Sequence, residues 1–161
     1  MPNEGSAPKS DASTPATPIT HKALAYVTRG DRLLIFRHVH EPEAGLQVPG
    51  GTVEPHETPA QAVMREVLEE TGLTGLSEPR HLGTLDHPRR EEPGVRRRHF
   101  FHLHYRGDSP DRWQHYERHP SEGGAPILYE LYWVRFPDQV PELIPGHDAC
   151  FAQLGAALRG V

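Results

Sequence analysis

The pattern of apolar and polar positions predicts a chain of short strands interrupted by two helices. Strands are predicted at residues 21–28, 32–38, within 76–87, at 96–105 and at 127–136. Alternation is clearest near the end of the fourth strand, where every second residue from Phe101 to Tyr105 falls on one face. Residues 106–126 lack such a pattern and are predicted to form a long polar loop. A helical pattern at residues 148–159 closes the chain.

Residues 59–71 are predicted to form an α-helix whose two ends are both marked in the sequence. Thr58 is a good N-cap, Pro59 suits the first helical position, and Gln61 completes a capping box. Gly72 follows as the stop. One side of the helix carries an apolar stripe that is expected to pack on the core, comprising Ala60, Val63, Met64, Val67 and Leu68.

The other side of this helix carries three glutamates. Each helical residue advances about 100° around the axis, so Glu66, Glu69 and Glu70 share one face. Like charges at this spacing repel one another. A hard divalent cation with oxygen ligands, Mg²⁺ or Mn²⁺, would relieve the repulsion. The pattern therefore predicts a metal-dependent enzyme acting on phosphates.

Composition limits the remaining function classes. Residues 1–19 are mostly Pro, Ser, Thr, Ala and Gly and are predicted to be a disordered tail, which leaves residues 20–161 as one domain. The net charge of −5 argues against a nucleic-acid polymer as partner. Cys150 is the only cysteine, so no intrachain disulfide forms, and no apolar run is long enough to span a membrane. A cytoplasmic protein is expected, and homodimer formation is left open.

The glutamate helix lies within a segment, residues 51–73, that resembles the box of the Nudix hydrolase family, whose MutT-like members share it. Every specified place of the box is filled, by Gly51, Glu57, Arg65, Glu66, Val67, Glu69, Glu70, Gly72 and Leu73. The order of strands, box, strands and closing helix is also similar to that family. The resemblance implies an α/β Nudix fold in which a mixed β-sheet is sandwiched between helices.

The resemblance also implies a role for each box residue. Glu66, Glu69 and Glu70 would bind Mg²⁺, with Mn²⁺ as an alternative, and the carbonyl of Gly50 would be a further ligand. Two other box residues, Glu57 and Arg65, would brace the loop against the helix.

The reaction that the resemblance implies is attack of water at one phosphorus of a nucleoside diphosphate linked to another group. The substrates would be nucleoside triphosphates or nucleotide sugars such as ADP-ribose. One carboxylate must accept the proton of the water. Glu66 and Glu69 are the candidates within the box. Outside it, Glu117 in the predicted loop could act as a mobile base, whereas Glu130 lies in a strand and is equally consistent with an outward-facing polar residue.

Candidates for substrate binding lie in the second half of the chain. Residues 96–98 are three consecutive arginines, and at most two of them can face one site on a strand. Arg96 and Arg98 could therefore hold phosphates. The alternative is that this segment is a solvated turn. Trp113 and Tyr116 could stack on a nucleobase or anchor the loop, and His102 could line the cleft. A catalytically silent Nudix-fold module that binds nucleotides is the alternative function, although no box glutamate is missing.

Overall fold

Seven strands and two α-helices make up the computed structural model, which describes residues 17–88, 93–120 and 123–160. The predicted tail falls outside these residues except for 17–19, and Ile19 already opens the first strand. The strands are β1 (Ile19–Arg29), β2 (Arg32–His38), β3 (Gly50–Thr52), β4 (Arg80–Pro88), β5 (Val95–His104), β6 (Arg112–Glu117) and β7 (Ile127–Arg135). The helices are α1 (Pro59–Thr71) and α2 (Phe151–Leu158), and a 3₁₀ helix spans Pro42–Ala44.

The strands form one mixed sheet in the order β4-β5-β1-β2-β7-β6, and β3 is paired to β1. Strands β1 and β5 run parallel, whereas the other pairs are antiparallel. The hairpin between β1 and β2 turns at Gly30, whose φ of 61° is easily adopted only by glycine. The predicted fold class, a mixed sheet with helices on its faces, is confirmed.

Alternation along the strands divides the core into two layers. The layer on the α1 side contains Val27, Phe101 and Leu103, which pack with Val63 and Val67 of the helix. The layer on the other side contains the intervening strand residues Tyr26, Ile35 and Phe100, which pack with Leu154 of α2. The period-two pattern predicted for β5 is therefore confirmed.

Helix α1 has the predicted bounds and caps. The Thr58 hydroxyl accepts from the Gln61 backbone N–H at 3.1 Å, and the Gln61 side chain accepts from the Thr58 N–H at 2.9 Å. Gly72 ends the helix in the left-handed conformation, with a φ of 74°.

The predicted stripe packs on the core through Ala60, Val63, Met64 and Val67, and only Leu68 departs from the prediction. Leu68 is 51% exposed, whereas Glu66 and Glu70 are buried together with Val63 and Val67. The prediction for Leu68 was wrong because the side of the helix that packs on the sheet lies between the apolar stripe and the carboxylates. Two of the three glutamates therefore lie inside the protein, against β3 and the sheet.

The predicted loop at residues 106–126 contains strand β6, so this prediction was also wrong. Strand β6 forms the edge of the sheet and pairs only with β7. Trp113, His115 and Glu117 turn towards the protein, and the residues between them are exposed. Inward-facing and outward-facing residues do alternate along this segment, but the inward-facing residues carry polar groups, so the segment shows no alternation of apolar and polar residues.

Helix α2 begins three residues later than predicted. Leu154 is buried, and Phe151 packs against Tyr26 with a ring-centroid distance of 5.2 Å, whereas Leu158 at the end of the helix is 37% exposed. Neither helix in the described part of the chain is long and apolar enough to cross a membrane.

Candidate metal site and its surroundings

Three carboxylates from two separate elements meet beside the C-terminal half of α1. Glu66 and Glu69 come from the helix, and Glu117 is the last residue of β6. One oxygen of each lies within 4.8 Å of the others. Glu66 and Glu117 are buried, and Glu69 is partly exposed. Such a group of oxygens, open to solvent on one side, suits a hard divalent cation. We call these three residues the acid cluster.

Glycine at position 51 makes room for the acid cluster. A Cβ atom built on Gly51 would lie 2.3 Å from Oε1 and from Cδ of Glu66. The backbone there is ordinary extended strand, so any residue could adopt the conformation. Glycine is therefore required for space, because the Glu66 carboxylate lies directly against the backbone of β3.

The backbone of Gly50 points towards the same helix. Ala25 donates to the carbonyl of Pro49 at 2.8 Å, and hydrogen bonding to β1 then alternates along the strand. Gly50 occupies a non-bonded place in this ladder, so its N–H and C=O both turn away from β1. The N–H donates to Oε1 of Glu70 at 2.7 Å. The carbonyl of Gly50 therefore also points towards α1, which is the orientation that a metal ligand at this position would need.

Glu70 is not part of the acid cluster, because its carboxylate bonds the backbone of β3 instead. Burial raises the pKa of Glu70 well above its usual range, and the charge of Glu66 adds to this. Burial likewise raises the pKa of Glu66 to about 7; Arg65 opposes this shift, whereas Glu69 and Glu117 add to it. A bound cation would favour the ionised forms, so metal binding and proton release are linked at this site.

Arg65 and Glu57 join the loop to the helix. The guanidinium donates to both carboxylate oxygens of Glu57, at 2.5 and 3.1 Å, and to the carbonyl of Thr52 at 3.1 Å. It also donates to Glu66 at 2.9 Å and to Glu69 at 3.3 Å. This hydrogen bonding holds the pKa of Glu57 below its usual range. One cation thus orients two carboxylates of the acid cluster.

The two base candidates from outside the box lie on opposite faces of the sheet. Glu117 accepts a hydrogen bond from the hydroxyl of Tyr129 at 2.6 Å and ends a strand, so it is a fixed residue and not the mobile loop residue that was predicted. Glu130 is held by Arg37 at 3.2 Å and by Arg112 at 2.7 Å on the α2 side. Only Glu117 converges with the box. No sequence signal marked Tyr129, since its role depends on the pairing of β6 with β7.

The predicted stacking residues differ in their surroundings. Trp113 donates from Nε1 to the carbonyl of Thr71 at 3.1 Å and packs against the core, so it anchors β6 to α1. His115 bonds the carbonyl of Glu69 at 3.0 Å and does the same. Tyr116 is exposed and lines a groove of about 240 Å³ that adjoins the acid cluster. The groove is lined by Leu68, Glu69, His115, Tyr116, Glu117, Arg118 and His119.

The remaining substrate-binding candidates lie on β5. His102 is hydrogen-bonded to Thr28 at 2.7 Å on the α2 side, away from the acid cluster. Arg97 pairs with Asp86 at 2.8 Å on the opposite face of the strand. Arg96 and Arg98 share one face and line a cavity that also borders Gly50 and Gly51. The limit of two arginines at one site thus agrees with the geometry.

Comparisons with known proteins identify related chains. The family model described as NUDIX domain matches residues 19–153. A curated relative, the NAD-capped RNA hydrolase NudC of Stutzerimonas stutzeri strain A1501, is 29% identical over 136 residues. That match covers 76% of this chain and 48% of the relative, so the chain spans about half the length of the relative.

Solved structures share the fold at lower identity. A MutT NUDIX hydrolase from Burkholderia pseudomallei superimposes with a TM-score of 0.62 at 22% identity, covering 84% of this chain and 98% of that one. A NUDIX hydrolase from Nitrosomonas europaea gives 0.62 at 22% identity, covering 87% and 90%. A UDP-X diphosphatase gives 0.62 at 20% identity, covering 92% and 66%.

Proposed function

The chain belongs to the NUDIX family, and we propose that it is a metal-dependent hydrolase that cleaves a phosphoanhydride bond in a nucleoside diphosphate linked to another moiety. The acid cluster carries this proposal. It brings Glu117, from outside the box, within 4.8 Å of two box glutamates. A third carboxylate beside two metal ligands can accept the proton of an attacking water, which nucleotide binding alone would not require.

The metal ligands proposed are Glu66, Glu69 and the carbonyl of Gly50, with Glu70 fixing that backbone and adding negative charge. The donors are all oxygen, which suits Mg²⁺ and Mn²⁺. A bound cation would neutralise charge on the phosphoryl oxygens. Arg65 keeps the carboxylates oriented through its bonds to Glu66 and Glu69.

Glu117 is the general base that the geometry supports best. It is fixed by the hydroxyl of Tyr129 and lies at the mouth of the groove that Tyr116 lines. A nucleobase bound in that groove would therefore lie close to Glu69 and Glu117. Glu66 and Glu69 remain the alternatives for accepting the proton.

Substrates with a nucleoside and a diphosphate fit this arrangement, and nucleoside triphosphates and ADP-ribose are the first candidates. The protein should be assayed with Mg²⁺ and with Mn²⁺ against these nucleotides, and also against NAD and NAD-capped RNA because of the relative's name. Chromatography would identify the products. Turnover of any diphosphate-linked compound supports the proposal, whereas nucleotide binding without turnover would indicate a silent binding module.

Substitution then tests the site. Glu66→Gln and Glu69→Gln are expected to lower turnover by about 100-fold or more, as loss of a metal ligand requires. Glu117→Gln is expected to lower kcat by a larger factor than it weakens Mn²⁺ binding. Glu130→Gln is the matched control, because Glu130 is a strand glutamate on the opposite face of the sheet. Equal rates for Glu117→Gln and Glu130→Gln would remove Glu117 as the base.

A further inference from the structure

A connected group of polar side chains from three strands lies on the α1 side of the sheet, outside the acid cluster. Its members come from β1, β4 and β5 and are His21, His81, Thr84 and His99. His21 lies two residues before Ala23, and His99 lies two residues before Phe101. Both of these core residues pack on the α1 side, so the two histidines face that side as well. We call the four residues the histidine group.

A β-bulge in β4 brings two members of the histidine group onto one face. The register of β4 against β5 shifts between His81 and Gly83, and Thr84 lies opposite His99. The His81 ring meets the Phe101 ring edge-on, with 5.4 Å between centroids, which places His81 on the α1 side too. Residues three apart point to opposite faces of a regular strand, so the bulge is what unites them. Bulges that redirect side chains in this way are over-represented next to functional sites.

Hydrogen bonds link the histidine group into a chain. Nδ1 of His21 lies 2.9 Å from Nε2 of His99. Nδ1 of His99 lies 3.1 Å from the hydroxyl of Thr84, which lies 2.9 Å from Nε2 of His81. When the Thr84 hydroxyl accepts from Nδ1 of His99, Nε2 of His99 carries a lone pair that faces His21. A partner on the second ring nitrogen is the device that orients metal-binding histidines in general.

The surroundings of His99 favour the neutral ring that a metal ion requires. Burial lowers the pKa of His99 most, and the charges of His21 and His81 add to this shift. Arg97 also lowers this pKa, whereas Asp86 raises it. Arg97 and Asp86 are paired with each other at 2.8 and 3.2 Å, so their charges offset one another. His21 is exposed, and its ring can turn without disturbing the core.

We propose that His21 and His99 bind a divalent transition-metal ion that prefers imidazole nitrogen, such as Ni²⁺ or Zn²⁺. Bonds from zinc to imidazole nitrogen are about 2.0–2.1 Å long. Two nitrogens 2.9 Å apart would subtend about 90° at a shared ion, which suits octahedral or tetragonal coordination. Separation by a further 0.4 Å or so would give the tetrahedral angle that zinc prefers. Rotation of the exposed His21 ring can supply either arrangement.

The donor atoms distinguish this site from the acid cluster. The acid cluster offers only oxygen, which suits Mg²⁺ and Mn²⁺, whereas imidazole suits nickel, copper and zinc. Among the described residues, no further histidine, cysteine or carboxylate has a ligand atom within 4.8 Å of both imidazole nitrogens, so water would complete the coordination. The ion would join β1 to β5. It would also lie close to the box, because the carbonyl of His21 accepts from the Val53 N–H at 2.9 Å.

Titration calorimetry with Ni²⁺, and separately with Zn²⁺, tests the proposal. The protein should carry no histidine tag, and excess Mg²⁺ should be present to occupy the acid cluster. The unmodified protein is expected to bind one ion, and His21→Ala should bind it at least tenfold more weakly. His99→Ala should show the same loss, and it serves as the second variant. His104→Ala is the matched control, because His104 lies on the same strand as His99 and points to the other face.

Several results would overturn the inference. One is the absence of Ni²⁺ and Zn²⁺ binding by the unmodified protein, and another is unchanged affinity in both His21→Ala and His99→Ala. Loss of the bound ion in Glu69→Gln would place it in the acid cluster instead. The chain has twelve histidines, so an equal loss in His104→Ala would show unspecific binding and would also count against the site. Unchanged affinity in Glu69→Gln and His104→Ala, with loss in the two variants, supports it.

Discussion

Replacing Gly51 by alanine tests the site through a single methyl group. The new Cβ would lie 2.3 Å from Oε1 of Glu66, whereas non-bonded contacts of carbon atoms settle at about 3.5 Å or more. The carboxylate must therefore move by about 1 Å. Glu66 is 2% exposed, so it cannot turn into solvent to avoid the methyl group.

The expected effects on stability and on function differ in size. Overpacking at one buried site costs about 1–3 kcal/mol of unfolding free energy, which a domain of this size tolerates. A displacement of 1 Å in a reacting group can cost about 100-fold in rate. Gly51→Ala should therefore fold, bind Mn²⁺ more weakly and lose most of its turnover.

Mn²⁺ affinity should be measured by titration calorimetry, turnover with the best nucleotide, and stability by urea unfolding. Gly155→Ala is the control, because it introduces the same methyl group in the middle of α2, where the nearest atom is the flexible end of Arg159 at 3.2 Å. This control should keep its activity and gain up to about 1 kcal/mol of stability. Normal Mn²⁺ affinity and turnover in Gly51→Ala would refute the placement of Glu66.

Three further predictions concern the same helix. Arg65→Lys keeps the charge but loses the pair of hydrogen bonds to the Glu57 carboxylate. Mn²⁺ affinity, measured by calorimetry, should therefore fall by about 10- to 100-fold. An unchanged Mn²⁺ affinity would exclude the bracing role of Arg65. In EDTA, the melting temperature should fall between about pH 4.5 and pH 7, because the pKa of Glu66 is about 7 in the folded protein and about 4.3 when unfolded, so its stabilisation is complete below the lower value and is lost through the higher one. Mn²⁺ should weaken this dependence, and a melting temperature that rises with pH in EDTA would contradict it. Thr58→Ala should lower the unfolding free energy by about 0.5–2 kcal/mol, measured against Thr58→Ser, which keeps the capping oxygen; equal stability of the two variants would show that the cap contributes nothing.

Local signals in the sequence were sufficient for the helix of the box. Thr58 and Gly72 mark ends that depend only on neighbouring residues, so the structure has the same bounds. The two faces of β5 were also predictable, since alternation needs no knowledge of partners. The burial of Glu66 and Glu70 was not predictable from helical periodicity, because it depends on β3 lying against the charged side of the helix.

The parts of the site that sequence missed all involve pairing between distant segments. Glu117 joins the acid cluster because β6 pairs with β7 and packs on α1, and no local pattern specifies an edge strand with inward polar residues. Contacts of this kind are fixed by packing in three dimensions, and hydrophobic periodicity does not encode them.

Strand β6 places two different chemical functions on adjacent residues. Tyr116 and Glu117 point to opposite faces, and a slip of one residue against β7 would exchange them, bringing the phenol inwards and the carboxylate out. The bonds from Trp113 and His115 to carbonyls at the end of α1 prevent such a slip. Trp113 contacts neither metal nor nucleotide in the arrangement proposed, yet it and His115 set the register on which both the acid cluster and the stacking groove depend.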